Sequence, residues 1–459
     1  MKTYIKYTGA ALLAACAFCG ASAQNTYSGY FLEGYDYRYQ MNPAFANENN
    51  FVALPALGNL NIGVQGNLHL TTLLYNVDGK TCLFTNPDVS VGSVMDNVSS
   101  HNKLGFDTKI GVLSGGFKAW GGYNTVSINA VASAHVDLPG SLFSLLKEGI
   151  SNKTYDISDL RASARGYVEM AFGHSRDLSK WVPGLRAGAT LKFLLGMGSL
   201  DARFNKAHLT LGEDGWTAVT NADIYASVPD LKFKTEYSDK TGRDYVSGID
   251  MNSFGVNGFG LGLDLGASYK LNDDWEFSAA ILDIGFISYG DTQLASTQGD
   301  RIVETNKYIF NPNDDADNSF SKEWKKMRDD MLELYQLDNV GKVGAQTYSL
   351  RTTLNFAAQY TFPLYRNLKF GLVNSTRIAG PFTCTQFRLS ANVAPVKVFS
   401  ANANFALGTY GASFGWMLSV HPKYFSLFLG MDHTPGKLAK QGVPLNSNLE
   451  VNFGINFPF

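Results

Sequence analysis

The sequence predicts an all-β fold: one closed antiparallel transmembrane β-barrel of about 14 strands, within a range of roughly 12–16. Three observations predict it. Apolar and polar residues alternate, run after run, along the chain. Aromatic residues gather near the ends of those runs. The chain closes on a further alternating run, Leu449, Val451, Phe453, Ile455, Phe457 and Phe459. Side chains of a strand point to opposite faces in turn, so such a run has one oily and one wet face.

Residues 1–23 read as an export signal. Lys2 and Lys6 supply its positive end, Ala10 to Phe18 its apolar core, and Ala21-Ser22-Ala23 a small-x-small cleavage site that leaves Gln24 first. Leu13-Ala14-Ala15-Cys16 offers a competing lipoprotein box. Beyond this leader no segment is apolar for the length a transmembrane helix needs.

Residues 24–58 come next and break every period. "YRYQMNPAFANENN", Tyr37 to Asn50, is polar, carries a proline and precedes the first alternating run. The barrel occupies 59–459. Its runs include Leu60 to Leu70, Val126 to Ser133, Leu185 to Phe193, Leu261 to Lys270, Tyr348 to Phe362, Phe387 to Val393 and Phe414 to Val420. They are on the order of 10 residues, the length with which a tilted strand crosses the hydrocarbon. A charge at mid-membrane on the lipid face costs roughly 2–4 kcal/mol. Arg186, Lys192, Asp264, Lys270, Arg351 and Arg388 all fall on the polar face of their runs, beside Gln359 and Glu450. These are the candidate lumen-lining residues. The cations are expected to pair with Glu169, Asp264 and Glu450 and fill a closed lumen, rather than to line an anion path, because both signs are present. Trp120, Tyr123, Tyr269, Trp275, Tyr360 and Phe362 are expected in an interfacial girdle.

Two long excursions interrupt the barrel, at 228–258 and 290–344. Gly140 to Gly149 reads as a short helix. A better one spans about 320–338, where Ser321 can cap and Trp324, Met327, Met331, Leu334 and Leu337 form one apolar side. Long loops on a rigid scaffold are where binding concentrates, so a protein partner is expected there.

The bulk numbers exclude more than they assign. The net charge is -2, so nucleic acid is not an expected partner. Gly411-Ala412-Ser413-Phe414-Gly415 has the spelling of a nucleophile elbow, but Ser413 lies in an alternating run with no helix after it. Asn311 to Ser319, "NPNDDADNS", lacks the glycine and closing glutamate of a calcium loop. "GFGLGLDLG", Gly258 to Gly266, misses the dinucleotide spacing and reads as a strand whose glycines ease close packing. The seven histidines are scattered, and none pairs at ligand spacing. No catalytic group, metal site or cofactor is expected, and the protein is read as a non-enzyme. Cys82 and Cys384 remain after the leader, as one disulfide or as two thiols.

A resemblance adds to this reading. Asn42-Pro43-Ala44, after an exported N-terminus and before the first strand, resembles the hatch of the long-chain fatty-acid transporter barrels and of the type 9 secretion shuttle barrels. That likeness implies an N-terminal segment folded into the lumen as a plug, with Asn42, Pro43 and Ala44 in it. "GYVEMAFGHSRDL", "LRAGATLKFLLGMGSL", "NGFGLGLDLGASYKLNDDWEFSAAILDIGFISY" and "LEVNFGINFPF" together resemble an uncharacterised Bacteroidota outer-membrane barrel family. The terminal aromatic resembles the signal read by the bacterial barrel-insertion machinery. The resemblance implies an outer-membrane barrel in contact with lipid. The expected function is passive transport of a small hydrophobic solute through a plugged lumen; the alternative is a non-transporting scaffold for secretion or surface assembly.

Overall fold

The computed structural model describes residues 26–148, 152–212, 215–238, 242–251, 253, 255–306, 336–434 and 448–459. The leader, the Asn311–Ser319 loop and residues 320–335 of the helix expected at about 320–338 lie outside these residues; of its remaining residues, 336 and 337 are irregular and Asp338 begins the strand Asp338–Lys342.

Fourteen strands form the wall. Strand β1 is built from Phe51–Ala53 and Leu60–Gly66; β2 is His101–Ala119, β3 Gly122–Pro139, β4 Arg161–Asp177 and β5 Leu185–Leu211. Strand β6 is Gly258–Lys270, β7 Trp275–Tyr289, and β8 is built from Gln346–Ser349 and Thr353–Thr361. Strand β9 is Leu368–Arg377, β10 Cys384–Val396, β11 Phe399–Gly408, β12 Gly411–Val420, β13 Ser426–His433 and β14 Leu449–Pro458. Each pairs antiparallel with the next, and β14 pairs back onto β1 through Ala53↔Asn456 and Leu60↔Phe453. Closure leaves no edge, so the wall's backbone groups are satisfied within the sheet.

Alternation decides which side chain meets lipid. On β10, Phe387 and Leu389 are 56% and 61% exposed, whereas Arg388 and Ser390 between and after them are 1% and 4% exposed. The same holds on β6, where Leu263 and Leu265 face out around the buried Asp264. An apolar outer face with the charges turned inward is what lipid contact requires.

The two ends differ. Phe459 and the short connections 120–121, 178–184, 271–274, 362–367, 397–398 and 421–425 lie at one end. Trp120, Trp181, Tyr424 and Phe459 stand exposed there, and Trp275 packs on Tyr360 with ring centroids 4.9 Å apart. Tyr123 departs from the expected girdle: it turns inward, 2% exposed, and its hydroxyl donates to the Asn49 carbonyl.

The other end carries the long connections. The helix Gly140–Glu148 forms as expected. The region 228–258, expected as a loop, instead contains the hairpin Leu231–Ser238 and Arg243–Met251. Strand β5 runs 27 residues, far more than the wall needs. Its first half pairs with β6 from Leu185 to Gly196. Its second half, Ser199 to Leu211, pairs with Gly215–Ser227. That strand in turn carries Thr292–Ser296 and Arg301–Asn306. The result is a sheet rising beyond the barrel, with its own buried apolar residues Ala222, Ala226, Leu231, Phe233, Ala295 and Leu337.

One expectation about register is corrected. Tyr348 to Phe362 does not form one continuous run. Asp283 in β7 takes a φ of +58°, in the left-handed region. Opposite it, residues 350–352 leave the ladder between the two halves of β8. Each strand gains an irregularity there, so the inside and outside positions exchange. Ile281 and Ile284 both face out, three residues apart, while Ile287 and Tyr289 face in. Tyr348, paired with Ile287, therefore points into the bore with Leu350, although Phe356 points to lipid.

Cys82, in the short hairpin ending at Leu83, and Cys384, at the start of β10, are both free thiols.

Candidate functional site

Residues 26–50 run inside the bore, toward its short-turn end. Their aromatic side chains make an apolar core there: Tyr27, Tyr30, Phe31, Tyr35, Tyr37, Tyr39 and Phe45 pack with Phe51, Val373, Met417 and Phe428. Polar tips reach wall side chains that alternation has turned inward. The Tyr27 hydroxyl donates to Asn355 Oδ1 at 2.9 Å and accepts from Ser375 Oγ at 2.7 Å. The Tyr37 hydroxyl donates to Asn456 Oδ1 at 2.9 Å. Asn355 Nδ2 donates to the Met41 carbonyl at 2.8 Å, and Gln359 Nε2 to that of Phe31 at 3.5 Å.

Contacts at two places fix the segment. Near its start, the Asp432 carboxylate accepts from the backbone N–H groups of Tyr27 and Ser28, both at 2.6 Å, and from Ser28 Oγ at 2.5 Å. Arg388 stands behind it, NH2 to Asp432 Oδ2 at 3.5 Å, and also donates to Asn404 Oδ1. Glu450 accepts from Thr26 Oγ1 at 3.3 Å and from Asn61 Nδ2 at 3.4 Å. Near its other end, Asn42 Nδ2 donates to the carbonyls of Ala267 at 3.1 Å and Ala279 at 3.3 Å, on β6 and β7. Its Oδ1 accepts from the Ala44 N–H at 2.9 Å, a local turn that Asn is suited to close. Pro43 lies in a notch made by Gly188 on β5 and Gly266 on β6.

Above this segment the bore is crossed by charge. Lys192 Nζ meets Asp264 at 2.8 Å, Asp283 at 2.5 Å and Glu169 at 3.8 Å, and Lys109 meets Glu169 at 2.9 Å. Asp107 receives Arg351 at 2.6 Å and Arg377 at 3.0 Å, with His135 Nε2 at 3.4 Å. Toward the loop end, Leu194, Ile287 and Tyr289 form an inward apolar cluster with Tyr167, Tyr348 and Leu350. The Arg165 guanidinium sits 4.1 Å over the Tyr348 ring.

The structure thus places Lys192, Asp264, Arg351, Gln359, Arg388 and Glu450 inside the bore. Gln359, Arg388 and Glu450 meet the N-terminal segment or its anchors, and Lys192, Asp264 and Arg351 meet the charge belts. Arg186 lies lower. It lines an open depression of about 640 Å³ at the short-turn end, with Asn47, Glu48 and Lys118. Lys270 stands at the rim, 3.2 Å from Asp273 in the turn. Of the expected anionic partners, Glu169 and Asp264 do hold Lys192, but Glu450 faces the N-terminal segment. Asp107, Asp283 and Asp432 take roles that sequence reasoning missed. Asp107 and Lys109 do alternate with Leu104, Phe106 and Ile110, so their inward side was visible in the pattern. Their partners were not. Among the described residues no cluster of His, Cys, Asp and Glu is arranged to hold a metal ion. Ser413 lies inside β12, Gly411–Val420.

The chain belongs to the family of unknown function DUF5723, whose pattern it matches over residues 43–432. No curated protein sequence matches it. Solved structures similar to it include the Ralstonia pickettii toluene transporter TbuX, at 9% identity and a TM-score of 0.40 over 96% of this chain and 95% of that one. The Pseudomonas putida toluene transporter TodX is similar at 8% identity and a TM-score of 0.37, over 96% and 93% of the two chains. The translocator domain of the autotransporter NalP from Neisseria meningitidis follows at 8% and 0.30, over 90% of each. Likeness at this level carries no argument about activity.

Proposed function

We propose that this member of the family is an outer-membrane barrel that admits a small hydrophobic solute, and that residues 26–50 are its plug. One observation carries the reading. The inner surface of the bore bears aromatic and aliphatic side chains at two levels, the Tyr289–Leu194 cluster near the loop end and the tyrosine-rich core of the N-terminal segment below it. A simple aqueous pore has a polar interior. Here an apolar solute would find partners at each level once the intervening side chains move.

At rest the N-terminal segment fills this level of the bore: Tyr30 and Tyr37 are 0% and Met41 1% exposed, packed against the wall. Passage therefore needs displacement of side chains or of the plug. The short-turn end, where Phe459 lies, would face the periplasm, as short turns do in such barrels. No catalytic role is proposed for any residue.

The reading is tested by reconstituting the purified protein into asymmetric bilayers with a lipopolysaccharide outer leaflet. Accelerated transfer of a small hydrophobic probe, with saturable binding to the protein, is expected. Absence of both binding and transfer across a panel of apolar probes overturns it.

A second reading has its own support. The sheet beyond the wall is a folded body with two buried cores, one around Phe233 and one around Trp216 and Leu209. A bare channel has no need of it, so a partner platform is the alternative. Removing 231–251 would then release a cross-linked partner while leaving solute transfer unchanged.

A further inference from the structure

The charges inside the bore fall into two groups with different topology. Lys109, Glu169, Lys192, Asp264 and Asp283 stand on β2, β4, β5, β6 and β7, on one stretch of wall. Asp107 is on β2, but its partners Arg351 and Arg377 stand in the gap of β8 and at the end of β9. In a ring of 14, strands 2 and 9 are 9 − 2 = 7 places apart, which is half the circumference. A circular barrel of 14 strands tilted about 40° would be about 28 Å across. An arginine and an aspartate meeting head to head span only about 13 Å between α-carbons, at about 1.5 Å per bond. The two walls are therefore drawn together where these side chains meet.

A second contact closes the same gap. The turn Gly380–Phe382 between β9 and β10 leans toward β2 and β3: Lys103 Nζ donates to the Pro381 carbonyl, and the Phe382 ring meets His135 edge-on at 5.1 Å. What separates the two groups is position on the ring, not hydration: Asp283 and Lys109 of the one-wall group are 33% and 16% exposed, against 14–20% for Asp107, Arg351 and Arg377. Neighbouring strands are already joined by backbone hydrogen bonds, so ion pairs between near neighbours close nothing. Opposite strands share no such bonds.

We propose that Asp107, held by Arg351 and Arg377, is an outer gate: an ionic lock across the bore that must open before anything reaches the N-terminal segment. This rests on reading the protein as a transporter, and it assigns the gate to side chains above the plug rather than to the plug alone. The long arginine arms can swing back to their own wall without any change in the strands.

The test places a reporter beneath the lock. Ser375, two residues below Arg377 on β9 and 4% exposed, contacts Tyr27. Ser375→Cys is introduced together with Cys82→Ser and Cys384→Ser, and the rate of labelling by a water-soluble maleimide is measured in folded, heat-modifiable barrel. Asp107→Asn should raise that rate on the order of tenfold. The pair Arg351→Gln with Arg377→Gln should do the same, and stands in if Asp107→Asn does not fold. Lys192→Met, which breaks the one-wall group, should leave the rate within about twofold. An unchanged rate in both lock variants, or an equal rise in Lys192→Met, overturns the gate. Binding of the hydrophobic probe is followed in the same samples. Faster labelling without probe binding keeps the gate and removes the hydrophobic-solute reading. Probe binding with unchanged labelling does the reverse.

Discussion

Gly188 and Gly266 are partners in register on β5 and β6, and neither position has room for a β-carbon. One on Gly188 would lie 2.1 Å from the Pro43 carbonyl oxygen, and one on Gly266 would lie 2.1 Å from Asn42 Oδ1. The pair makes a saddle in the wall, and the Asn42-Pro43-Ala44 turn is seated in it.

Gly266→Ala and Gly188→Ala should therefore lift the N-terminal segment without breaking the barrel. Overpacking of this kind costs about 1–3 kcal/mol. Limited proteolysis should cut within 26–50 several times faster in either variant, while heat-modifiable migration persists. Gly166 provides the control, because a methyl added there would meet nothing within 4 Å. Gly166→Ala should leave the cleavage rate unchanged.

How far this was legible follows from what alternation encodes. A two-residue period tells inside from outside, so the inward side of Arg388, Lys192, Asp264 and Glu450 could be read from their neighbours alone. It does not tell which inward residues face one another. Asp432 and Arg388 lie on different strands, 44 residues apart in sequence, and the contact depends on how the ring brings those strands round the N-terminal segment. The Gly188–Gly266 saddle is of the same kind: the glycines of Gly258 to Gly266 suggested close packing, but what packs there is a turn far upstream, at Asn42 and Pro43. The rising sheet was missed for another reason. Long charged segments read as loops, yet Leu231, Phe233 and Val246 also pack with Leu200 and Ala295, on strands distant in sequence.

Asp432 should be the most sensitive single anchor. It accepts two backbone N–H groups of the N-terminal segment and neutralises a guanidinium that is 1% exposed. Removing one partner of a buried pair costs about 3–5 kcal/mol, because the remaining charge stays buried. Asp432→Ala should lower the temperature of heat-modifiable unfolding by several degrees and raise the protease sensitivity of 26–50. Asp432→Asn keeps an acceptor oxygen and should fall between Ala and wild type. Equal effects of Ala and Asn would show that charge, not acceptance, is what matters there.

The lipid face can be tested on β10 within two adjacent positions. Leu389→Arg puts a charge where the side chain is 61% exposed on the apolar wall, at a cost of roughly 2–4 kcal/mol. Its neighbour Ser390 points inward, bonded to the Gly371 carbonyl at 3.2 Å. Ser390→Ala loses only that bond, about 1 kcal/mol. Urea titration of barrel folded into lipid vesicles should rank the two in that order.

Tyr348 and Phe356 test the exchange of faces at Asp283. A plain two-residue period over Tyr348 to Phe362 puts both rings in lipid, and a carboxylate at either would then be equally costly. The structure separates them. Phe356 is 56% exposed on the outer wall, while Tyr348 lies inside, beneath the Arg165 guanidinium at 4.1 Å. Tyr348→Glu therefore exchanges a cation–π contact for an ion pair with Arg165 inside the bore, whereas Phe356→Glu drives a charge into hydrocarbon. Folding yield into vesicles should stay close to wild type for Tyr348→Glu and fall severalfold for Phe356→Glu. If both variants fail alike, the irregularity at Asp283 and 350–352 does not turn the strand, and the inward cluster around Tyr289 dissolves with it.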